Sequence, residues 1–168
     1  FHNEHNWPYN EFYDGWWGHD TLPKLNYEGS KELEEYILQV GRKWVSAPFY
    51  ADGWRLDVAD ELPDDFIHGI HAAARQAKPE AVIIGEVWED GSTKVAYGVR
   101  RRHILGGHCD GLMNYPFRGA ALAYLRGGDA RDFMEAMETL RENYPRFAFY
   151  SAMNALGTHD TPRILTLL

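Results

Sequence analysis

Apolar residues recur along this chain in two rhythms. Leu33, Ile37, Val40 and Trp44 return every three to four residues, the period of one helix face. Glu32, Glu34 and Glu35 lie early in that stretch and Arg42 and Lys43 late, an order that complements the helix dipole, and Ser30 is placed to cap its start. Pro48 marks its end. The rhythm then shortens to alternation, with Trp54, Leu56 and Val58 on one side of an extended segment and Arg55 and Asp57 on the other. A second helical stretch opens at Pro63-Asp64-Asp65, turns Phe66, Ile67, Ile70, Ala73, Ala74 and Ala77 inward, and stops at Pro79. Residues 81–87 are apolar on both faces, as in a parallel strand covered on both sides.

Further along, the pattern predicts a helix around 95–105, a short strand at 110–115, a helix from Asp129 with Phe133, Met137 and Leu140 in phase, a strand over 147–156 and a helix from Thr161. Residues 1–29 are aromatic and rich in Gly, without sustained period, and read as an ordered loop region. Strand and helix in alternation predict an α/β chain with a parallel sheet, of the (β/α)8 TIM-barrel type. Four strand-plus-helix units amount to half of such a barrel. Acids at the carboxyl ends of its strands converge on one face, where chemistry takes place.

Composition narrows the function. With 168 residues and 45% hydrophobic content the chain can bury a sizeable core. A formal net charge of −8 argues against nucleic acid as a partner. The one basic run, Arg100-Arg101-Arg102, reads as solvated surface. Cys109 is the only cysteine, which rules out an intrachain disulfide and a thiolate pair for zinc. No apolar run reaches membrane-spanning length, so no membrane partner is expected. The first residues lack the pattern of a signal peptide, and a chain that starts with Phe1 reads as cut from something longer. His2, His5, His19 and Asp20 match no metal-ligand spacing, and no metal site is assigned.

Three strings carry the candidate chemistry: Gly53-Trp54-Arg55-Leu56-Asp57, Gly85-Glu86-Val87-Trp88 and Thr158-His159-Asp160. Each follows an apolar stretch and carries an acid. Taken singly, such an acid caps the next helix or pairs with a base; Asp160 before Thr161-Pro162 has the form of an N-cap. Taken together they suit glycosidic bond cleavage with retention, which needs one ionised and one protonated carboxyl about 5 to 5.5 Å apart. Arg55 beside Asp57 is expected to keep that acid ionised, and burial after an apolar strand to keep Glu86 protonated.

These strings resemble, in order, signature regions of the α-amylase family of glycoside hydrolases. Leu22-Pro23-Lys24-Leu25-Asn26 resembles the motif of that family's inserted loop domain; with Met113-Asn114-Tyr115-Pro116-Phe117 it is most similar to the neopullulanase, cyclomaltodextrinase and maltogenic amylase group. The resemblance implies Asp57 as nucleophile, Glu86 as acid/base and Asp160 as the acid that grips sugar hydroxyls. Arg55, His159, Trp88 and Glu61 would contact or position substrate. Trp16 and Trp17 are weaker candidates for stacking on a sugar ring.

The resemblance divides the chain into 1–29, the tail of the inserted domain, and 30–168, a partial catalytic barrel holding strands four to seven. The implied substrate is an α-1,4-glucan: malto-oligosaccharide, cyclodextrin, starch or pullulan. A glucanotransferase on the same site and a non-catalytic glucan-binding protein of the same fold remain the alternatives. No cofactor is needed for the chemistry; structural calcium is compatible with the resemblance, with no ligands assigned. The family's first signature region is absent from these residues, so the missing barrel strands are expected from the rest of a parent chain or from self-association. The group resembled leans toward a bacterial, cytoplasmic enzyme. Asp60 stands where that group often has Asn, and Thr158 where many amylases have Asn.

Overall fold

A computed structural model of the chain describes residues 13–19 and 21–168, the Trp17 side chain excepted. His2, His5 and Asp20 lie outside the described residues. Helix α1 (Lys31–Val45) starts at Ser30, whose Oγ accepts the Leu33 N–H at 3.3 Å. Its buried residues are Gly41 and Val45; Trp44, placed on the inner face by its spacing, is 43% exposed and packs on Phe49. Strand β1 (Gly53–Leu56) follows, then α2 (Asp64–Ala77), which packs against α1, and strand β2 (Val82–Gly85). The buried side of α2 is the expected one, Phe66, Ile67, Ile70, Ala73 and Ala74, with Ala77 left exposed at its end.

β1 and β2 pair in parallel, with Arg55 beside Ile84 and Leu56 beside Gly85. The expectation that residues 81–87 are covered on both faces needs correction. Ile83 is fully buried, whereas Val82 is 39% exposed and Ile84 only half-buried. Only the face turned to the helices is packed; the face shared by Val82, Ile84 and Arg55 is open among the described residues.

After β2 the chain makes an excursion from Glu89 to Cys109. The helix expected around 95–105 is replaced by a hairpin of β3 (Val95–Ala96) and β4 (Val99–Arg100), joined by Tyr97 and Gly98, both at positive φ. Strand β5 (Gly111–Leu112) then pairs with β2, giving the parallel order β1-β2-β5. Helices α3 (Tyr115–Leu125) and α4 (Ala130–Asn143) pack together, capped by Asn114 and Asp129. The strand expected over 147–156 is also corrected: Pro145 opens the short helix α5 (Arg146–Tyr150), and pairing survives as one parallel bridge between Met113 and Met153. Helix α6 (Ile164–Leu167) ends the chain. One core, built on Ile67, Ile83, Val87, Ile104, Cys109 and Leu112, lies between the sheet and its helices.

Candidate active site

β1 stops at Leu56, so Asp57 stands just beyond its carboxyl end and Glu86 just beyond that of β2. The two ends are stitched by the backbone, with Glu86 N–H donating to Leu56 O at 2.9 Å and Ala59 N–H to Glu86 O at 3.1 Å. Arg55 reaches both acids. Its Nη1 donates to Asp57 Oδ1, while its Nη2 lies 3.0 Å from Glu86 Oε1 as an ion-pair contact. The guanidinium, expected to serve Asp57 alone, bridges the pair. Their surroundings differ sharply: Asp57 is 57% exposed and Glu86 5%.

Val58, expected to continue the alternation of β1, turns away from it at φ 42. This left-handed backbone is rare for a β-branched residue and costs about 1–3 kcal/mol. The Val58 N–H, at the entrance to this turn, donates to Glu86 Oε2, 2.7 Å away. The backbone then tightens into a single 3-10 turn, Ala59–Glu61.

An open cleft of about 750 Å³ gathers Asp57, Glu86, Trp88, His159 and Asp160. His159 and Asp160 pair at 3.2 Å and are both accessible. Asp160 caps no helix, since α6 begins only at Ile164, so the capping alternative does not hold for it. Trp88 is half exposed; one face lies flat on Tyr115, with ring centroids 4.1 Å apart and planes 4° apart. Tyr115 hydroxyl in turn meets Thr158 Oγ1 at 3.3 Å, which ties the Thr158 departure to the support of Trp88. A rigid aromatic backed on one face and half exposed suits stacking of its other face on the apolar face of a sugar. Trp16 lines a neighbouring cavity together with Trp54, Arg55 and Asp57.

Glu61, expected to meet substrate, is held inside the cleft wall. Its side chain is 1% exposed, with the Tyr97 hydroxyl donating to Oε1 and Lys24 Nζ 3.1 Å from Oε2. Burial, and then the Glu61 carboxylate, pushes the Tyr97 hydroxyl pKa upward. Lys24 also lies over the Tyr97 ring, 5.1 Å from its centroid. What this wall offers the cleft is the ring of Tyr97, 60% exposed.

Asp60 has the opposite balance. Burial pushes its carboxyl upward, but His103 and Lys94 outweigh that and hold it below the usual carboxylate range. His103 Nε2 is 2.9 Å and Lys94 Nζ 3.1 Å from it. Burial lowers the Lys94 pKa, and Glu89 and Asp60 more than reverse this. An asparagine at position 60 would leave His103 without its carboxylate partner and Lys94 with Glu89 alone, which gives the Asp60 departure a physical reason.

The basic run also needs correction. Arg101 is 7% exposed, not solvated, and donates to Asp60 O, Leu62 O and Asp64 Oδ1. Arg101, His103, Lys94 and Tyr97 are the residues that sequence reasoning passed over. An available signal was the parity of Arg101 and His103, which in extended chain face the same way while Arg102 faces out.

Among the described residues no group of three or more His, Cys, Asp or Glu side chains is placed to hold a metal ion. No step below runs through a metal ion. No described helix is long and apolar enough to cross a membrane.

Parallel strands with acids at their carboxyl ends, two of them bridged by one arginine, match what the whole sequence shows by comparison. The family described as "Alpha amylase, catalytic domain" matches residues 1–168. The chain belongs to the α-amylase catalytic-domain family. Its fold is accordingly of the TIM-barrel type, here as a partial barrel. Among curated relatives of this family, a cyclomaltodextrinase of Geobacillus thermopakistaniensis is 36% identical over 87% of this chain and 23% of its own length. An amylopullulanase of Thermoanaerobacter thermohydrosulfuricus is 32% identical over 92% of this chain and 12% of its own. Among solved structures, the cyclic α-maltosyl-(1→6)-maltose hydrolase of Arthrobacter globiformis, in complex with cyclic α-maltosyl-(1→6)-maltose, superposes with a TM-score of 0.80. It is 28% identical, and the match covers 93% of this chain and 33% of that one. The chain thus spans a quarter or less of the length of these curated relatives.

Proposed function

We propose that this chain carries the catalytic acids of a retaining α-glucan hydrolase that cleaves α-1,4-glucosidic bonds in malto-oligosaccharides, cyclodextrins, starch or pullulan. The observation that carries the reading is the single guanidinium of Arg55 shared by Asp57 and Glu86. One guanidinium that reaches both carboxyls keeps them near each other, as the retaining reaction requires, and the anomer released first distinguishes this from an inverting pair. Asp57, the exposed member, attacks the anomeric carbon; as the C1–O bond breaks, Glu86 gives its proton to the leaving oxygen. The covalent glycosyl-Asp57 is then opened by water, whose proton returns to Glu86. Asp160 and His159 hold sugar hydroxyls across the cleft, and Trp88 backs a ring. A sugar hydroxyl in place of water gives transfer by the same groups, and product analysis at high acceptor concentration measures its share. Residues 1–29 belong, in this reading, to the tail of an inserted loop domain, and 30–168 to the partial barrel.

Turnover of maltoheptaose and β-cyclodextrin by the full polypeptide tests this, with product anomers resolved by NMR and Glu86→Gln as control. Initial release of the α-anomer, abolished in Glu86→Gln, is expected. Folded protein that turns over neither substrate, or that releases the β-anomer first, overturns the reading.

A further inference from the structure

The strained turn after Asp57 is held from outside, by a residue that follows Glu86 in the chain. Val58 has no conformational preference for φ 42, yet it is held there while its N–H donates to Glu86 Oε2 at 2.7 Å. Arg101 brackets the turn one step further on. Its guanidinium donates to Asp60 O and Leu62 O, the carbonyls on either side of Glu61, and is anchored by Asp64 Oδ1 at 2.8 Å. The side chain is more than nine-tenths buried, so these bonds do not compete with bulk water. A planar fork with five fixed donors can serve acceptors that diverge in one plane; a lysine ammonium in the same place is a point charge.

We propose that Arg101 is a positioning residue for the acid/base step: by clamping the turn it keeps the Val58 N–H on Glu86 and so fixes the direction in which the Glu86 carboxyl delivers its proton. The inference rests on the reading of Glu86 as acid/base. It predicts a loss that depends on the leaving group. A sugar alkoxide cannot depart unprotonated, whereas fluoride departs as the anion while Asp57 forms the same bond to the anomeric carbon. A residue that merely held the fold together would affect both departures alike.

The test compares maltoheptaose hydrolysis with the initial fluoride release from α-maltosyl fluoride, in the full polypeptide, for wild type, Arg101→Ala, Arg101→Lys and Glu86→Gln. Glu86→Gln calibrates the contrast: kcat on maltoheptaose falls by about 10²- to 10⁴-fold, the range of general acid/base catalysis, and fluoride release falls far less. Arg101→Ala is expected to follow in the same direction, with kcat on maltoheptaose down about tenfold or more, KM little changed and fluoride release nearly preserved. Arg101→Lys should show a smaller contrast of the same sign. Equal losses on the two substrates, a loss confined to KM, or no loss overturns the proposal. Should Arg101→Ala not fold, Arg101→Lys and Asp64→Asn, which removes the anchor of the clamp, carry the same comparison. If Glu86→Gln itself shows no contrast, the acid/base reading fails in its own variant, and the positioning role falls with it.

Discussion

Arg55→Lys isolates what the shared guanidinium contributes. A lysine keeps the positive charge but offers one ammonium where Arg55 presents Nη1 to Asp57 and Nη2 to Glu86. The two contacts are unequal. Asp57 is 57% exposed, so its pairing is screened and contributes about 0–1 kcal/mol. Glu86 is 5% exposed, so its contact with the charged guanidinium is little screened and contributes about 1.5–3 kcal/mol. A lysine that follows the exposed acid therefore forfeits roughly 1.5–3 kcal/mol of organisation, about a 10- to 150-fold loss in kcat/KM at 1.36 kcal/mol per decade. The assay is kcat/KM on maltoheptaose, with thermal unfolding followed by circular dichroism to show that the variant is folded. A folded Arg55→Lys protein within about threefold of wild type would refute the idea that one planar group must hold both acids.

Three further outcomes follow from the geometry. The Asp60 carboxyl sits below its ordinary range when folded, so the unfolded chain binds more protons as the pH falls; this share of stability is present above about pH 4 and lost as pH drops through the folded value. Asp60→Asn should therefore lower the urea midpoint at pH 7 and make its decline below pH 4 shallower than in wild type; parallel pH curves would contradict this. Gly85→Ala brings a Cβ within 2.9 Å of Cys109 Sγ and 3.0 Å of Leu112 Cδ2, and calorimetry or denaturant titration should find it about 1–3 kcal/mol less stable. Burial raises the Cys109 thiol to about 12, so a disulfide reagent at pH 8 should leave the native chain unmodified and titrate its single thiol only in denaturant.

What the sequence made legible were features with local causes. Ser30 before Leu33 caps a helix wherever the chain folds, and the α2 face from Phe66 to Ala74 needs only its period to be read. The acids at strand ends were legible because β1 and β2 are regular up to Leu56 and Gly85. The misses have tertiary causes. Tyr97-Gly98 is an unusual hairpin turn, in which a tyrosine takes positive φ while its hydroxyl bonds to Glu61, so no turn signal marked the hairpin. Phe147 to Tyr150 has the composition of a strand, but Pro145 starts a helix and the packing of Ala148 keeps it. Arg101 looked like one of three surface arginines because its partners are mainly backbone carbonyls, which no residue pattern reveals.

Lys24, Glu61 and Tyr97 come from three stretches distant in sequence, and their side chains meet at one point in the cleft wall. That junction sets a rule for inheritance. A 89–109 segment grafted from a relative without the tyrosine would strand a buried glutamate with one cation, and a graft carrying the tyrosine into a chain without the glutamate would leave its hydroxyl idle. Cleft-wall diversity among relatives should therefore be exchanged as a three-part block, and recombination libraries aimed at altered product length should be cut so that these positions travel together.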